Sequence, residues 1–478
     1  MIDPQQVVER ALAARTVDES LVIVTDASEA SLRWANNSMT TNGVSLSRTW
    51  TVISIVREGD IAKVGTVSSS SVDPEQISAL VQASEAAART ATPADDASDL
   101  ITQSAAETDW DLPAALTDIG VFAPLAADLS TAFDGGDQLF GLAHHQLHTT
   151  WLGTSTGVRR RTAQATGSVE INGKRGDASA WVGSGTVDFS DISIPKLLSQ
   201  LTTRLDWAGN SVSLPAGRYE TILPPSAVAD LMIYLMWTME GRGAEEGHTA
   251  LSTTGGTRIG EKLGLPLTLT SDPGAEGLQS APFVITTSSS ESVSLFDNGM
   301  EIEPVDWVRD GVVNALAYPR HAAREFGRPV AVPGDNLILT GGDDTSIEDM
   351  IAGTEKGLLL TTLWYIREVD PTTLLLTGLT RDGVYLIEDG KIVGAVNNFR
   401  FNESPLDLLR RVTELDAPRS RFLGSGKIGS PARPCRRCAF PTSTCPRSAR
   451  RSDGEGRDRR RHRCSRPPNQ RRSRGPRI

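Results

Sequence analysis

Residues 235–264 read LMWTMEGRGAEEGHTALSTTGGTRIGEKLG and pass from an apolar run into a loop rich in glycine and threonine. The overlapping segment AVADLMIYLMWTM (227–239) is apolar apart from Asp230, which is typical of a helix buried in a protein core. Ser226 follows two prolines and is placed to cap this helix, which we expect to run to about Glu240. The stretch therefore predicts an apolar core helix that opens directly into a polar loop.

The polar residues after this helix raise the first question about chemistry. Gly241 and Gly243 would end the helix, and Glu245, Glu246 and His248 would follow on the loop. A catalytic zinc ion needs three protein ligands and an open position for water, usually with a carboxylate nearby as general base. One histidine and a few glutamates could supply these groups, but no pair of histidines stands at helical spacing here. The residues alone favour a helix end over a metal site.

The net charge of −11 conceals two regions of opposite charge. Residues 424–478 contain 17 Lys and Arg but 3 Asp and Glu, which leaves 31 basic and 56 acidic side chains in residues 1–423. All four cysteines also lie in 424–478. An acidic body without cysteine favours the cytoplasm and argues against binding to nucleic acid or anionic lipid. No signal-peptide pattern and no apolar run of about 18 residues occurs, so we expect neither a leader nor a membrane span.

Residues 424–478 are interpreted as a basic low-complexity tail produced by a frameshift. Their abrupt change to Arg, Pro, Ser and Cys is what a GC-rich gene gives when it is read out of frame. A genuine disordered tail is a second interpretation, and a zinc module is a third. The residues that could ligate zinc there are Cys435, Cys438, Cys445, His462 and Cys464. Almost no large apolar residue lies between them to form a small core, so the tail is left out of the fold prediction.

The alternation of helix-like and strand-like segments divides the remaining chain into domains. The expected division is an α+β domain at 1–91, a linker at 92–113, a second α+β domain at 114–216 and a β-rich domain at 217–423. The predicted fold class is therefore α+β, with N-terminal α+β domains followed by a β-rich C-terminal domain.

Local signals place individual elements within these domains. We expect helices at 3–15, 73–91, 119–133, 193–208 and 404–412. We expect N-terminal strands at 21–26, 31–41, 49–58, 62–70, 139–152, 157–172 and 177–188. Thr345 to Glu348 reads as a capping box, Gly357 as the residue after that helix, and Asp389–Gly390 as a hairpin turn.

The histidines offer little support for metal or nucleophilic chemistry. His144, His145 and His148 in AHHQLH could act as ligands, but the segment reads as a strand, which favours solvent-facing or interstrand polar roles. His321 is expected in a helix or turn. No GxSxG, P-loop or GxGxxG motif stands between a predicted strand and a predicted helix.

Several blocks of the C-terminal half resemble the TldD/PmbA family of heterodimeric metallopeptidases. Residues 235–264 are similar to the family's helix, glycine-rich loop and R-x-G-E sequence, with Arg258 and Glu261 in the last of these. Three later blocks resemble family segments in the same order, at residues 296–323, 337–364 and 377–396. The likeness runs from about residue 8 to residue 422 and implies the α+β fold predicted above.

The resemblance also indicates what this chain lacks. In TldD-type subunits the helix carries H-E-x-x-x-H, which supplies two zinc ligands and the catalytic glutamate, and a later cysteine completes the site. Trp237 and Thr238 stand at the His-Glu pair here, and Arg242 stands at the second histidine. The resemblance therefore implies a PmbA/TldE-type subunit with no catalytic residue and no metal of its own, whose zinc lies in a TldD-type partner.

As such a subunit, the chain would complete a chamber around its partner's site and help to hold unfolded peptides for hydrolysis. The cleft residues implied by the resemblance are Glu240, Arg242, Glu245, Glu246, His248, Arg258 and Glu261. A homodimer is the alternative assembly. Two other functions stay open: an autonomous metallopeptidase with replacement ligands among residues 240–248, and a nucleic-acid-binding adaptor that acts through the basic tail.

Overall fold

The computed structural model describes residues 2–71, 73–103, 106–342, 345–381 and 383–415, together with the backbone of 420–423, 438–445 and 447–448. The described chain mixes helices with a larger share of strands, which confirms the predicted α+β class. None of the helices in these ranges is both long and apolar enough to cross a membrane.

The N-terminal half is built on one antiparallel six-stranded sheet with the order β3-β2-β1-β4-β5-β6. Its strands are β1 (Glu19–Trp34), β2 (Met39–Glu58), β3 (Ile61–Ser69), β4 (Gln138–Thr154), β5 (Arg159–Arg175) and β6 (Ala178–Thr186). β1 pairs with β2 on one side and with β4 on the other along nearly its whole length. The sheet is therefore continuous across segments that lie far apart in the sequence.

Four helices cover one face of this sheet. They are α1 (Pro4–Ala14), α2 (Pro74–Thr90), α3 (Ala123–Phe133) and α4 (Ile194–Ala208). Val7, Val8 and Leu12 recur at helical spacing in α1 and pack against Trp50 and Trp151 of the sheet. All four helices lie within the segments where the sequence predicts them, and the 3₁₀ turn Ile119–Phe122 begins the third of those segments.

The opposite face of the sheet packs against the C-terminal half. Leu21 and Ile23 of β1 and Leu152 of β4 contact Leu295 and Phe296, which belong to the 3₁₀ turn Leu295–Asp297. Alternation along a strand sends these side chains to the face away from the helices. The sheet is therefore enclosed by helices on one side and by the C-terminal half on the other.

The structure differs from the expected division at the N-terminal half. The segments 1–91 and 114–216 each contribute three strands to the same sheet. The expected linker at 92–113 is packed rather than free, because Leu100 and Trp110 are buried. Pairing of β1 with β4 is a long-range contact that leaves no local pattern in either strand.

One strand boundary also differs. The expected strands at 21–26 and 31–41 are largely one strand, β1, and the chain turns between Trp34 and Met39 before β2 begins. Asn36 and Asn37 make this turn with φ of 51° and 60°, the left-handed region that asparagine tolerates.

The C-terminal half contains sheets of five, seven and four strands and a two-stranded ribbon. Its strands are β7 (Ser211–Val212), β8 (Gly217–Leu223), β9 (Ser252–Thr253), β10 (Gly256–Thr257), β11 (Leu267–Ser271), β12 (Val305–Arg309), β13 (Val312–Val313), β14 (Asn336–Gly341), β15 (Lys356–Leu360), β16 (Leu363–Asp370), β17 (Leu375–Thr380), β18 (Val384–Glu388), β19 (Lys391–Val396), β20 (Phe399–Glu403), β21 (Glu414–Leu415), β22 (Ser420–Leu423), β23 (Cys438–Cys445) and β24 (Arg447–Ser448). Its helices are α5 (Pro225–Thr238), α6 (Gly241–Glu245), α7 (Arg320–Phe326), α8 (Ile347–Gly353) and α9 (Pro405–Arg411).

The local sequence signals in this half agree with the structure at one turn and differ from it around α8. Asp389 and Gly390 form the predicted hairpin turn between β18 and β19, with φ of 49° and 74°. The capping box lies one residue later than predicted, because Ser346 and Asp349 exchange the two capping hydrogen bonds. Gly357 was wrongly predicted to follow the helix and instead lies in β15.

The segment interpreted as a frameshifted tail is described only in part. The backbone of 438–445 forms β23, which pairs with β8 in the seven-stranded sheet. The possible zinc ligands Cys435, His462 and Cys464 lie outside the described residues.

Candidate functional site

The apolar helix α5 ends earlier than its sequence suggests. It ends at Thr238, and Ser226 does not cap it, because the Ser226 hydroxyl donates to the carbonyl oxygen of Thr361 at 3.1 Å. A separate short helix, α6, begins at Gly241. Gly241 is required at this position because a Cβ atom there would lie 2.4 Å from the ring of Tyr318. The helix, its break and the following turn place the residues that the sequence singles out.

Trp237 and Thr238, at the end of α5, have different environments. The Trp237 side chain is 47% exposed, and its ring lies edge-on to Tyr234 with 5.1 Å between centroids. Thr238 is buried, and its hydroxyl donates to the carbonyl oxygen of Tyr234 at 3.0 Å. The indole of Trp237 can only donate a hydrogen bond, and the Thr238 hydroxyl already donates its proton to Tyr234. Neither residue is available as a base or a metal ligand.

Arg242 stands among three carboxylates. Its guanidinium bonds to Glu325, lies 3.3 Å from Glu246 and 3.8 Å from Glu291, and sits 5.3 Å from the centroid of the Phe326 ring. The hydrogen bond with Glu325 raises the pKa of Arg242. A permanent cation therefore occupies the position at which the related motif carries its second histidine, and it pairs with the surrounding carboxylates.

The two glutamates of α6 and its cap diverge. Glu245 accepts hydrogen bonds from the Tyr318 hydroxyl at 3.0 Å and from Arg328 Nε at 2.9 Å. Burial, together with the bond to Glu245, raises the pKa of Tyr318. Glu246 instead faces Arg242, and the 71% exposed His248 lies 3.5 Å from it. The predicted cleft residues Glu245, Glu246 and His248 are therefore not brought to one point.

Arg258 and Glu261 belong to a second ion-pair cluster. Glu261 lies 2.7 Å from Arg258 and 2.7 Å from Arg410 of α9. Burial opposes ionisation of this carboxyl, but the hydrogen bonds from Arg258 and Arg410 outweigh burial and lower the pKa of Glu261. Arg258 also donates to the carbonyl oxygen of Ala250 at 2.8 Å. The cluster fastens the glycine-rich loop to α9, which is a structural role.

A groove of about 400 Å³ opens beside the end of α5. We call it the α5 groove, and its lining residues are Ile233, Met236, Trp237, Glu240, Ser290, Ser292, Pro333, Gly334, Asp335, Asn336 and Leu337. Trp237 and Glu240 are the only residues of the sequence-predicted set in this lining. The remaining wall comes from segments around 290 and 335, which the sequence did not single out.

Two carboxyls give the α5 groove an acidic character. Burial, followed by the charges of Glu291 and Glu368, raises the pKa of Glu240. Asp335 is accessible from the groove. Desolvation by the surrounding protein raises its pKa to about 7, although a hydrogen bond with Gln164 of β5 acts in the opposite direction. Neither Glu240 nor Asp335 forms an ion pair with another described side chain. The groove thus combines an aromatic wall with carboxyls that lack a cationic partner in this part of the chain.

The residues present do not fit a zinc ion. The three motif positions carry an indole, a committed hydroxyl and a guanidinium, none of which is a zinc ligand. Within the described ranges, no three His, Cys, Asp or Glu side chains are grouped so that they could hold a metal. The replacement ligands required by an autonomous metallopeptidase are therefore not assembled in residues 240–248.

The histidines lie where their strand and helix positions predict. His145 is buried, with Nδ1 at 2.6 Å from the Thr117 hydroxyl and Nε2 at 2.8 Å from the carbonyl oxygen of Val187. Burial lowers the pKa of His145. His144 lies 3.7 Å from Glu29 on the neighbouring strand, and His321 lies in α7. His144 thus makes the kind of interstrand polar contact that the sequence predicts, whereas both partners of His145 lie outside the strands.

Comparison with known proteins identifies the C-terminal half. Residues 216–438 match the model of the PmbA/TldA metallopeptidase C-terminal domain. No curated protein sequence matches the chain.

Solved structures resemble nearly the whole chain. TldE from Thermococcus kodakarensis aligns with a TM-score of 0.71 and 15% identity, covering 92% of this chain and 99% of that one. A putative modulator of DNA gyrase from Bacteroides thetaiotaomicron VPI-5482 has a TM-score of 0.69 and 16% identity, with coverage of 92% and 97%. A protein of the same description from Thermotoga maritima MSB8 has a TM-score of 0.69 and 14% identity, with coverage of 92% and 99%. At these identities the likeness establishes the shared fold. The C-terminal half is therefore similar to the PmbA/TldA metallopeptidase C-terminal domain, and the chain shares its fold with these structures.

Proposed function

We propose that this chain is a TldE-like subunit of a TldD/PmbA-type peptidase complex. It provides part of the chamber and of the peptide-binding surface, and a TldD-type partner provides the zinc ion and the catalytic glutamate. The substrates are unfolded peptides, and the chain hydrolyses them only as part of the complex.

The observation that supports this proposal is the environment of the side chains at the three positions of the zinc motif. Thr238 is closed off by its bond to Tyr234, Arg242 is held by Glu246, Glu291 and Glu325, and Trp237 faces the α5 groove. Each side chain has a structural or surface role that a zinc ligand could not perform. The end of α5 therefore forms part of the wall of the α5 groove instead of a zinc site.

The α5 groove supports the peptide-binding part of the proposal. Its volume of about 400 Å³ is that of a site for a short segment rather than a whole domain. Ile233, Met236 and Trp237 offer apolar contact, while Glu240 and Asp335 can accept hydrogen bonds from backbone amides or side chains. Such a lining tolerates many sequences, as a chamber for unfolded peptides requires.

An autonomous metallopeptidase is not supported, because two of its candidate zinc ligands bind other side chains. Glu245 bonds to Tyr318 and Arg328, and Glu246 pairs with Arg242. A nucleic-acid-binding adaptor would depend on residues 424–478, most of which lie outside the described residues.

The test is a peptidase assay of this chain co-expressed with a TldD-type subunit that carries H-E-x-x-x-H. We expect the complex to cleave an unfolded peptide and this chain alone to be inactive. Trp237→Ala in the complex should raise KM about tenfold, because it removes the groove wall, with a smaller effect on kcat. Trp364→Ala, on a 41% exposed residue outside the groove lining, is the control and should leave KM unchanged. Equal effects of the two substitutions would refute a role for the groove.

A further inference from the structure

The exposed tryptophan of the α5 groove can receive a cation from outside the chain. Trp237 lines the groove and is 47% exposed, and no Lys or Arg of the described residues lies over its ring. The exposed Trp364 differs, because the guanidinium of Arg381 lies 5.1 Å from its ring centroid. An indole face attracts ammonium and guanidinium groups more strongly than the rings of Tyr or Phe do. The Trp237 ring therefore offers a surface for a cationic group.

Glu240 supplies a carboxylate in the same lining. It is half-buried, it stands at the N-cap position of α6, and its side chain does not cap that helix. Among the described residues, no side chain or backbone group donates a hydrogen bond to its carboxylate. A half-buried carboxylate without a donor is unfavourable, because protein replaces part of its hydration shell. A ligand that brings a donor to Glu240 would therefore bind with a gain.

The charges around the groove are negative. The lining contains Glu240 and Asp335 but no Lys, Arg or His. Burial, followed by the charges of Glu291 and Glu368, raises the pKa of Glu240. Arg242 lies 3.8 Å from Glu291 but pairs more closely with other carboxylates. A bound cation would favour the ionised form of the groove carboxyls, whereas a bound anion would be repelled.

Apolar side chains distinguish the groove from an ordinary acidic surface. Ile233, Met236 and Leu337 belong to the same lining, and the last two are buried. Such side chains can cover the methylene chain of a long basic residue while its charged end reaches a carboxylate. An apolar residue would leave Glu240 without a donor, and an acidic residue would place a like charge beside it. The lining therefore selects a cationic group on an apolar stem.

We propose that the α5 groove binds a cationic group of the peptide substrate, an ammonium or a guanidinium, between Trp237 and Glu240. Lysine and arginine side chains carry such a group, and so does the free N-terminus of a peptide. This inference rests on the proposed function, because it specifies which peptides the complex holds best. It concerns one group of the peptide and leaves the other residues unrestricted.

The test compares matched peptides on the complex of this chain with a TldD-type subunit. Each N-acetylated, C-amidated peptide carries one lysine, norleucine or glutamate in an otherwise uncharged, unfolded sequence, and the position of that residue is varied. At one position we expect kcat/KM to be about tenfold higher for lysine than for norleucine, and lower again for glutamate. If the groove takes the α-ammonium group instead, the norleucine peptide should gain about tenfold when its N-terminus is left free.

Substitutions of Glu240 assign this preference to the groove. Glu240→Gln should bring the ratio of the preferred to the reference peptide to about one, and Glu240→Lys should favour the glutamate peptide. Glu388→Gln, on an exposed residue that pairs with Lys356 outside the lining, is the control and should keep the tenfold ratio. Each ratio is measured on one protein, so a loss of folded complex lowers both rates and cancels.

Two results would overturn the inference and leave the proposed function standing. One is equal cleavage of the lysine, norleucine and glutamate peptides at every position, with no gain from a free N-terminus. The other is a cationic preference that persists unchanged in Glu240→Gln. A complex that cleaves none of the peptides would refute the proposed function, and this inference with it.

Discussion

Arg242 Nη1 lies 3.4 Å from Oε1 of Glu325, and the guanidinium also lies over the ring of Phe326, the last residue of α7. The pair joins α6 to α7, two short helices far apart in the sequence. The side chain that stands at a zinc-ligand position in the related motif is thus part of the connection between two elements of the fold.

Arg242→Ala should destabilise the chain modestly. The substitution leaves Glu246, Glu291 and Glu325 near one another without their shared cation. Since these groups are partly exposed, we expect a loss of about 1 kcal/mol in the free energy of unfolding, measured by urea denaturation. His248→Ala, on a side chain that is 71% exposed, is the control and should change stability by less than about 0.5 kcal/mol. A neutral Arg242→Ala would show that the carboxylates do not need the cation.

Asp297→Ala should be much more damaging. Asp297 is fully buried, and its carboxylate accepts hydrogen bonds from Arg320 Nε at 2.6 Å and from the Arg320 backbone N–H at 3.0 Å. Removing one partner of a buried pair leaves the other charge uncompensated, which costs about 3 kcal/mol. Glu388→Ala, in the exposed pair with Lys356, should cost less than about 0.5 kcal/mol under the same conditions. Similar losses for both variants would contradict the burial argument.

Asp230→Asn should stabilise the chain at alkaline pH. Burial raises the pKa of Asp230 to about 7, from an ordinary value of 3.8. Between these values the unfolded chain is ionised while the folded chain keeps the proton, so this residue costs stability as the pH rises. The asparagine variant avoids that cost. Urea denaturation should show it to be more stable than the unmodified chain at about pH 8 and equal to it near pH 4. A pH-independent difference would mean that Asp230 does not titrate as described.

Glu85→Gln should show the opposite dependence on pH. Glu85 is buried, which opposes ionisation, but hydrogen bonds from the side chain and backbone of Thr16 and the backbone of Val17 outweigh burial and lower its pKa. Its charge therefore stabilises the fold above the ordinary pKa of 4.5, and this contribution is lost as the pH falls through the folded-state value. We expect a loss of about 1–2 kcal/mol at pH 7 that shrinks toward pH 4. Glu58→Gln, on a side chain that is 60% exposed, should show no such trend.

Local elements could be predicted from the sequence because their signals lie within a few residues. The apolar spacing of Val7, Val8 and Leu12 specifies α1, and Asp389–Gly390 specifies the turn between β18 and β19. The pairing of β1 with β4 could not be predicted in this way, because the partners Leu21 and Thr154 come from distant segments. The two expected N-terminal domains were for that reason not recognised as one sheet.

The candidate site was predictable only where it follows α5. Trp237 and Glu240 were identified because they adjoin the apolar helix and its glycines. Asp335 was missed because its surroundings include Gln164 of β5, a contact between the two halves of the chain. In the sequence Asp230 is only an interruption of an apolar run, since burial of its carboxyl depends on elements outside α5.

The zinc content of this chain, purified alone and in complex with a TldD-type subunit, tests most directly whether the metal belongs to the partner, with peptidase activity followed on the same samples. We expect no stoichiometric zinc and no cleavage for the chain alone, and about one zinc ion with cleavage for each complex. Stoichiometric zinc together with peptide cleavage by the isolated chain would contradict the assignment of the metal to the partner.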